Sequence, residues 1–274
     1  MTLQLVLTRP LLFTAVAAVG FLCFGRGARA EKTIVVSCVG DSITSRGCAS
    51  KPNMTYVAQL GRMLGSSYQV TNYGVSGTTM LKNGYCGNAD LHCGGNCTYW
   101  KTKKYEEAME SQPDIVTIML GTNDAKGCNW YGPPNGNPSG VEYHKAFVDM
   151  VHKFQALPSK PKVYLVTPPP LVNPPTHPDD PPPYNMTKQV LNEIIPKEQL
   201  PALLKETGAT GIIDVWNALG GTTAYFNASM TCDGCHPKDP AMTIIARTIA
   251  NAILSSSSPD DHPSQKSNQQ EIAS

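Results

Sequence analysis

Runs such as "DIVTIML" (114–120) and "KVYLVT" (162–167) are apolar at successive positions, with no polar face. Side chains alternate across a strand, so a run apolar at both sets of positions is buried on both faces, as a parallel strand between two helical layers is. Similar runs lie at 33–39, 68–72 and 211–214. Between them fall segments of helical length near 54–64, 98–111, 141–157 and 188–207, with a last one near 239–254. This alternation predicts a single three-layer α/β domain over residues 31–254.

Two segments break the pattern. Residues 82–101 are polar and cysteine-rich, and 168–184 carry nine prolines in seventeen residues. Both follow predicted strands, so both are expected at the carboxyl edge of the sheet, where open α/β folds bind ligands. Proline fixes φ and lowers the entropy lost on ordering, which favours a stiff rim over a floppy lid for the second segment, with a plain surface loop as the alternative. The tail, 255–274, has almost no apolar residues and is expected to be disordered.

The first thirty residues change the picture of where the chain works. Arg9 is followed by an apolar stretch from Leu11 to Phe24 and then by Ala28-Arg29-Ala30. The stretch is short for a membrane span and precedes a small-x-small site, so residues 1–30 read as a secretory signal peptide cleaved before Glu31, leaving no membrane span. Cleavage removes Cys23 and leaves cysteines at 38, 48, 86, 93, 97, 128, 232 and 235, an even set that favours disulfides in a secreted chain. Cys38 lies inside an apolar run and is the candidate for a buried free thiol. Sequons at Asn53, Asn96, Asn185 and Asn227 are candidate glycosylation sites on surface loops. With 22 basic and 21 acidic residues and no basic run, nucleic acid is not an expected partner.

The first strand ends in "VGDSITSRG" (39–47), an abrupt stop on small and polar residues. Asp41, Ser42 and Thr44 are all residues that cap helices. Ser42 is also a candidate nucleophile, which needs a base, a group that orients the base and donors for an oxyanion. Of the six histidines, His236 lies in "CDGCHP" three residues after Asp233, close enough for the carboxylate to fold back onto the imidazole Nδ1–H and leave Nε2 for Ser42. Gly74 in "NYGVSG" and Asn123 in "GTND" end the second and third predicted strands and are candidate oxyanion donors, Gly74 through its N–H and Asn123 through its amide. Asp41 and Asp124 adjoin these residues and are read as helix caps or turn formers.

The blocks "GDSIT", "NYGVSGTT", "GTND" and "DGCHP", in that order over most of 33–254, resemble the SGNH (GDSL-type) hydrolases. "PDIVTIMLGTNDAKGCNW" (113–130) looks most like the bacterial-type GDSL esterases labelled sialate O-acetylesterase-like. The resemblance implies a flavodoxin-like five-stranded parallel sheet and a serine esterase. It also implies Ser42, Asp233 and His236 as the triad, with the Ser42 N–H, the Gly74 N–H and Asn123 as the oxyanion hole. Neither a metal nor an organic cofactor is needed. No G-x-S-x-G surrounds any candidate serine, which separates the chain from α/β-hydrolases.

Two competing chemistries share these residues. "CDGCH" also fits the attachment pattern of a c-type haem, and Cys86, Cys93 and Cys97 with a histidine such as His92 can be read as a zinc site. The alternative for the cysteines near the last block is a disulfide that locks the turn, joining Cys232 and Cys235 to each other or to Cys48 or Cys128. Trp100 and Trp130, beside Tyr99 and Tyr131, lie in loops near the expected site and are candidate substrate contacts, since flat aromatic faces suit sugars. The leading reading is a secreted esterase that removes small acyl groups, acetyl above all, from carbohydrate. A lipase or lysophospholipase on the same fold is the alternative, and a non-catalytic glycan-binding protein is the rival from a different class.

Overall fold

The computed structural model describes residues 32–84, 97–131, 140–174 and 185–256, all within one compact unit that begins at Lys32. Strands β1 (Ile34–Gly40), β2 (Tyr68–Gly74), β3 (Ile115–Met119), β4 (Lys162–Val166) and β5 (Gly211–Ile213) form one parallel sheet in the order β2-β1-β3-β4-β5. The helices in chain order are α1 (Ser42–Ser45), α2 (Tyr56–Leu64), α3 (Lys103–Glu110), α4 (Gly127–Trp130), α5 (Val141–Gln155), α6 (Leu200–Thr207), α7 (Val215–Ala218), α8 (Gly221–Tyr225) and α9 (Asp239–Ser255). A π-helical segment, Val190–Gln199, runs into α6 and carries Pro196.

The two faces of the sheet are divided by alternation. Val39, Val116, Ile118, Leu120, Val163 and Leu165 pack with Ala108 of α3, the apolar stripe of α5 and Leu200 and Leu203 of α6. Val36, Cys38, Ile115, Met119, Tyr164, Val166 and Ile213 pack on the opposite face with α2 and α9. In α9 the buried positions are 241, 242, 245, 246, 249, 250 and 253, a helical repeat with one wet side. The five predicted strands and five predicted helical segments all occur, with most ends shifted by a residue or two; the 98–111 segment divides into a 3-10 turn, Tyr99–Lys101, and α3. The short helices α1, α4, α7 and α8 were not predicted.

Several expectations need correction. Helix α9 runs to Ser255, and Ser256 receives hydrogen bonds from Lys162 Nζ at its carbonyl and from the Tyr164 hydroxyl at its Oγ, so the polar tail starts later than 255. Residues 1–31 and 257–274 lie outside the described residues, as do Cys86, His92, Cys93 and Asn96. The start of the proline segment is no rim. Pro168–Val172 is buried, and because proline has no N–H, only the residues after Pro170 need acceptors. Leu171 N–H donates to Asn192 Oδ1 at 2.9 Å and Val172 N–H donates to Gly234 O at 2.9 Å.

What matters for the site is register. Gly40 stands opposite both Gly74 and Met119, so β1, β2 and β3 end level. The residues that follow, Ser42, the 75–78 turn and Asn123, therefore leave one edge of the sheet together.

Candidate active site

Asp41 caps the four-residue helix α1: its Oδ1 accepts from the Ile43 N–H at 2.9 Å. The N–H of Ser42, one of the donors a helix start leaves over, has no acceptor among the described residues. Thr44 is no cap. Its hydroxyl lies 2.9 Å from the Tyr56 hydroxyl and ties α1 to α2.

The acid and the base share one closed turn. Asp233 Oδ1 accepts from the Cys235 N–H at 2.9 Å and from the His236 N–H at 2.7 Å, an Asx turn that fixes the carboxylate. Thr231 Oγ donates to His236 O, Gly234 N–H donates to Thr231 Oγ, and the Tyr225 hydroxyl donates to Cys235 O. Gly234 sits at φ +84°, and a Cβ there would stand 2.4 Å from the Val172 carbonyl, so the turn presses against the start of the proline segment where only glycine fits.

From this turn His236 Nδ1–H donates to Asp233 Oδ2 at 2.6 Å, which leaves Nε2 as the acceptor for the Ser42 hydroxyl at 2.9 Å. Burial works against charge on both members of the pair, yet their mutual hydrogen bond and attraction prevail. Asp233 is held below the ordinary carboxylate range and His236 is raised above the ordinary imidazole value, with Asp41 adding to the pull on His236. Such a pair can take a proton from Ser42 Oγ and hold it on an imidazolium beside a carboxylate.

Around Ser42 the donors differ from expectation in one respect. Asn123 is buried, its Nδ2 donates one hydrogen to Thr78 O at 3.0 Å, and a second hydrogen remains on the same nitrogen. Asn129 of α4 braces it by donating from Nδ2 to Asn123 O at 2.8 Å. The Gly74 N–H, by contrast, is taken by Asn72 Oδ1 at 2.9 Å, so it has no free donor to offer. The signal for this lay in the sequence, since Asn two residues before a glycine makes an Asx turn that uses that N–H. In the same turn Gly77, at φ +79°, carries an N–H without an acceptor among the described residues, next to the Thr78 that holds Asn123. Asn72 also donates to the Thr44 and Ser45 carbonyls, steadying α1 from the neighbouring strand.

Asp124 lies in the 122–125 turn, but its side chain caps no helix and serves a more distant partner. Fully buried, it accepts from the Met80 N–H and the Leu81 N–H at 2.9 Å each, clamping the chain that leaves the 75–78 turn. Burial pushes its carboxyl up to about 7 and that of Asp41 up to about 6. The two tryptophan candidates turn inward, whereas Tyr131 is half exposed. Trp130 is 3% exposed and packs on Tyr143, while Trp100 donates from its indole N–H to Met80 O with Lys82 over its ring. Trp130 fills the core, and Trp100 is half-buried with its N–H bonded and Lys82 over its ring, so both anchor the backbone around them. His144 also has partners that the sequence did not reveal, Gln199 and Glu206, which tie α5 to α6.

Cys48 and Cys232 form a disulfide, one of the pairings anticipated, and Cys97 and Cys128 are disulfide-bonded as well. Cys38 is a buried free thiol as expected, and so is Cys235, which packs beside Met186 in place of a bond to Cys232. With Cys232 in a disulfide the thioether that c-type haem attachment needs cannot form, and Cys97 has no thiolate for zinc.

The family model that matches residues 38–244 is that of the GDSL-like lipase/acylhydrolases. The chain belongs to this family. Its members are carboxylic ester hydrolases, and that is the class of this chain. Its sequence is 32% identical over 240 residues to an acetylxylan esterase of Xylanibacter ruminicola, a match that covers 81% of this chain and 44% of the relative, so the chain spans less than half of that protein's length. Among solved structures it resembles an aryl esterase of M. smegmatis (TM-score 0.58, 19% identity, 81% of this chain and 99% of that one). It resembles equally Est24, a carbohydrate acetylesterase from Sinorhizobium meliloti (TM-score 0.59, 20% identity, 81% and 99%). At these identities the structures speak for the fold.

Proposed function

We propose that the chain is a secreted serine esterase that removes small acyl groups, acetyl in the first place, from carbohydrate. The observation that carries this reading is the hydrogen-bonded series Asp233–His236–Ser42, with distances of 2.6 and 2.9 Å. Ser42 Oγ attacks the ester carbonyl as His236 Nε2 takes its proton, and the alcohol leaves with that proton. Water, deprotonated by His236, then cleaves the acyl-enzyme to acid and free serine. The tetrahedral oxyanion is met by the Ser42 N–H, the free hydrogen on Asn123 Nδ2 and the Gly77 N–H, the last taking the place first given to Gly74.

Carbohydrate as the alcohol side rests on the likeness to the acetylxylan esterase. Secretion rests on residues 1–30 as a leader cleaved before Glu31, on the disulfides, and on sequons whose Asn53, Asn185 and Asn227 are exposed. Among the described residues no helix is long and apolar enough to cross a membrane. The domain so proposed starts at 31 and takes in all of α9 with Ser256, followed by a polar tail.

An acyl-length series of p-nitrophenyl esters, run beside Ser42→Ala, tests the reading. Acetate is expected to turn over fastest and Ser42→Ala to abolish turnover. A preference for long chains contradicts it in favour of a lipase, and Ser42-independent or absent turnover in favour of a binding protein. Secretion is tested by treating protein from a secreting host with a glycosidase, where a gel shift is expected and its absence contradicts glycan attachment.

A further inference from the structure

Ser42 and His236 lie 194 residues apart in the chain, on segments that share no strand or helix. Their contact depends on whatever joins the loop after α1 to the turn before α9. Three ties do so. The Cys48–Cys232 disulfide spans 184 residues, Cys48 N–H donates to Pro237 O at 3.0 Å, and the Ser50 N–H and hydroxyl donate to the Asp239 carboxylate. The disulfide is the covalent tie, and with the Cys48 N–H on Pro237, the neighbour of His236, it joins the catalytic turn to the loop after α1. Cys232 is bonded in sequence to Asp233, and Cys48 follows Gly47, whose N–H donates to the Ser42 carbonyl at 2.7 Å.

Cys232 is exposed and Cys48 half-buried, whereas the free thiols Cys38 and Cys235 are shut in the core. A soluble thiol can therefore reach the Cys232 side of the bond, and among the described residues no free thiol stands exposed to replace it. We infer that Cys48–Cys232 is a positioning pair that holds the Ser42–His236 contact, and that its reduction by a dithiol switches the esterase down while the fold persists. The inference rests on the esterase reading of the same site. In the step itself a dithiol thiolate attacks Cys232 Sγ and Cys48 leaves as thiolate, which is then protonated. The second thiol resolves the mixed disulfide, so that two electrons and two protons pass to the protein as the dithiol becomes a disulfide.

The test compares oxidised wild type, dithiothreitol-treated wild type and the Cys48→Ser/Cys232→Ser double variant, all well below their melting temperatures. Turnover of p-nitrophenyl acetate is followed together with the low-field NMR resonance of the His236 Nδ1 proton. The double variant separates this disulfide from those of Cys97 and Cys128. A kcat lower by about 10- to 100-fold is expected, as for a misplacement near 1 Å, with KM within about twofold and re-oxidation restoring the treated wild type. The Nδ1 resonance should broaden or vanish in the variant. A folded variant with unchanged kcat and an unchanged resonance contradicts the inference, and so does a variant that does not fold, since the bond then serves the fold. Absence of Ser42-dependent turnover in the oxidised wild type contradicts the esterase reading instead, and the resonance still decides the positioning role.

Discussion

His236 feels two opposed influences: burial disfavours its charge, and the carboxylate of Asp233, helped by Asp41, favours it. The second prevails, so its pKa is raised, and a base must be neutral to act. Turnover is therefore expected to fall as pH drops through a value above the ordinary 6.5 of imidazole, and Asp233→Asn should move that limb down while lowering kcat by about 10³–10⁴-fold. A pH–rate profile with its limb below 6.5 in the wild type contradicts the pairing. Asn123 supplies a donor and is itself held by Thr78 and Asn129. For Asn123→Ala the expected loss is about 10²–10³ in kcat, with a stability cost of about 1–3 kcal/mol, since the buried Thr78 carbonyl loses its donor. Normal turnover in that variant removes Asn123 from the mechanism.

The elements explain why some of this was legible in the sequence and some was not. The strands were legible because burial on both faces writes itself as an unbroken apolar run, and α5 and α9 because a helix with one wet side repeats at its own period. Helices α1, α4, α7 and α8 are four or five residues long, too short to hold a pattern, and are fixed by distant contacts such as Asn72 on the α1 carbonyls. Ser42, Asp233 and His236 were legible through spacing within a turn and through the family resemblance. The second duty of Asp124 was not, because its partners, Met80 and Leu81, lie more than forty residues away. Asp124→Ala strands both buried N–H groups and frees the chain beside Gly77 and Thr78. A stability loss of about 2–6 kcal/mol is expected from two such groups, together with a fall in kcat. A variant that melts like wild type contradicts the clamp.

Across the whole molecule the same buried charges set stability against activity. Asp41 and Asp124, raised to about 6 and about 7, bind protons more tightly folded than unfolded, so each lowers stability as pH rises from the unfolded value of 3.8 through its folded one. The raised pKa of His236 acts in the same direction: its contribution is full below 6.5 and is lost as pH rises through the folded value. Asp233, lowered, contributes above 3.8 and loses that contribution as pH falls through its folded value. The melting temperature is therefore expected to be higher near pH 5 than near pH 8, while turnover is higher near pH 8. A melting temperature that climbs across that range contradicts these burial costs. All of this presupposes that Ser42 attacks an ester, and the most direct test of that claim is the initial rate on p-nitrophenyl acetate and on a long-chain p-nitrophenyl ester, wild type beside Ser42→Ala. The expected result is rapid turnover of acetate that vanishes in the folded variant. Equal rates in the two proteins contradict the nucleophile, and a wild type that prefers the long chain contradicts the small-acyl esterase.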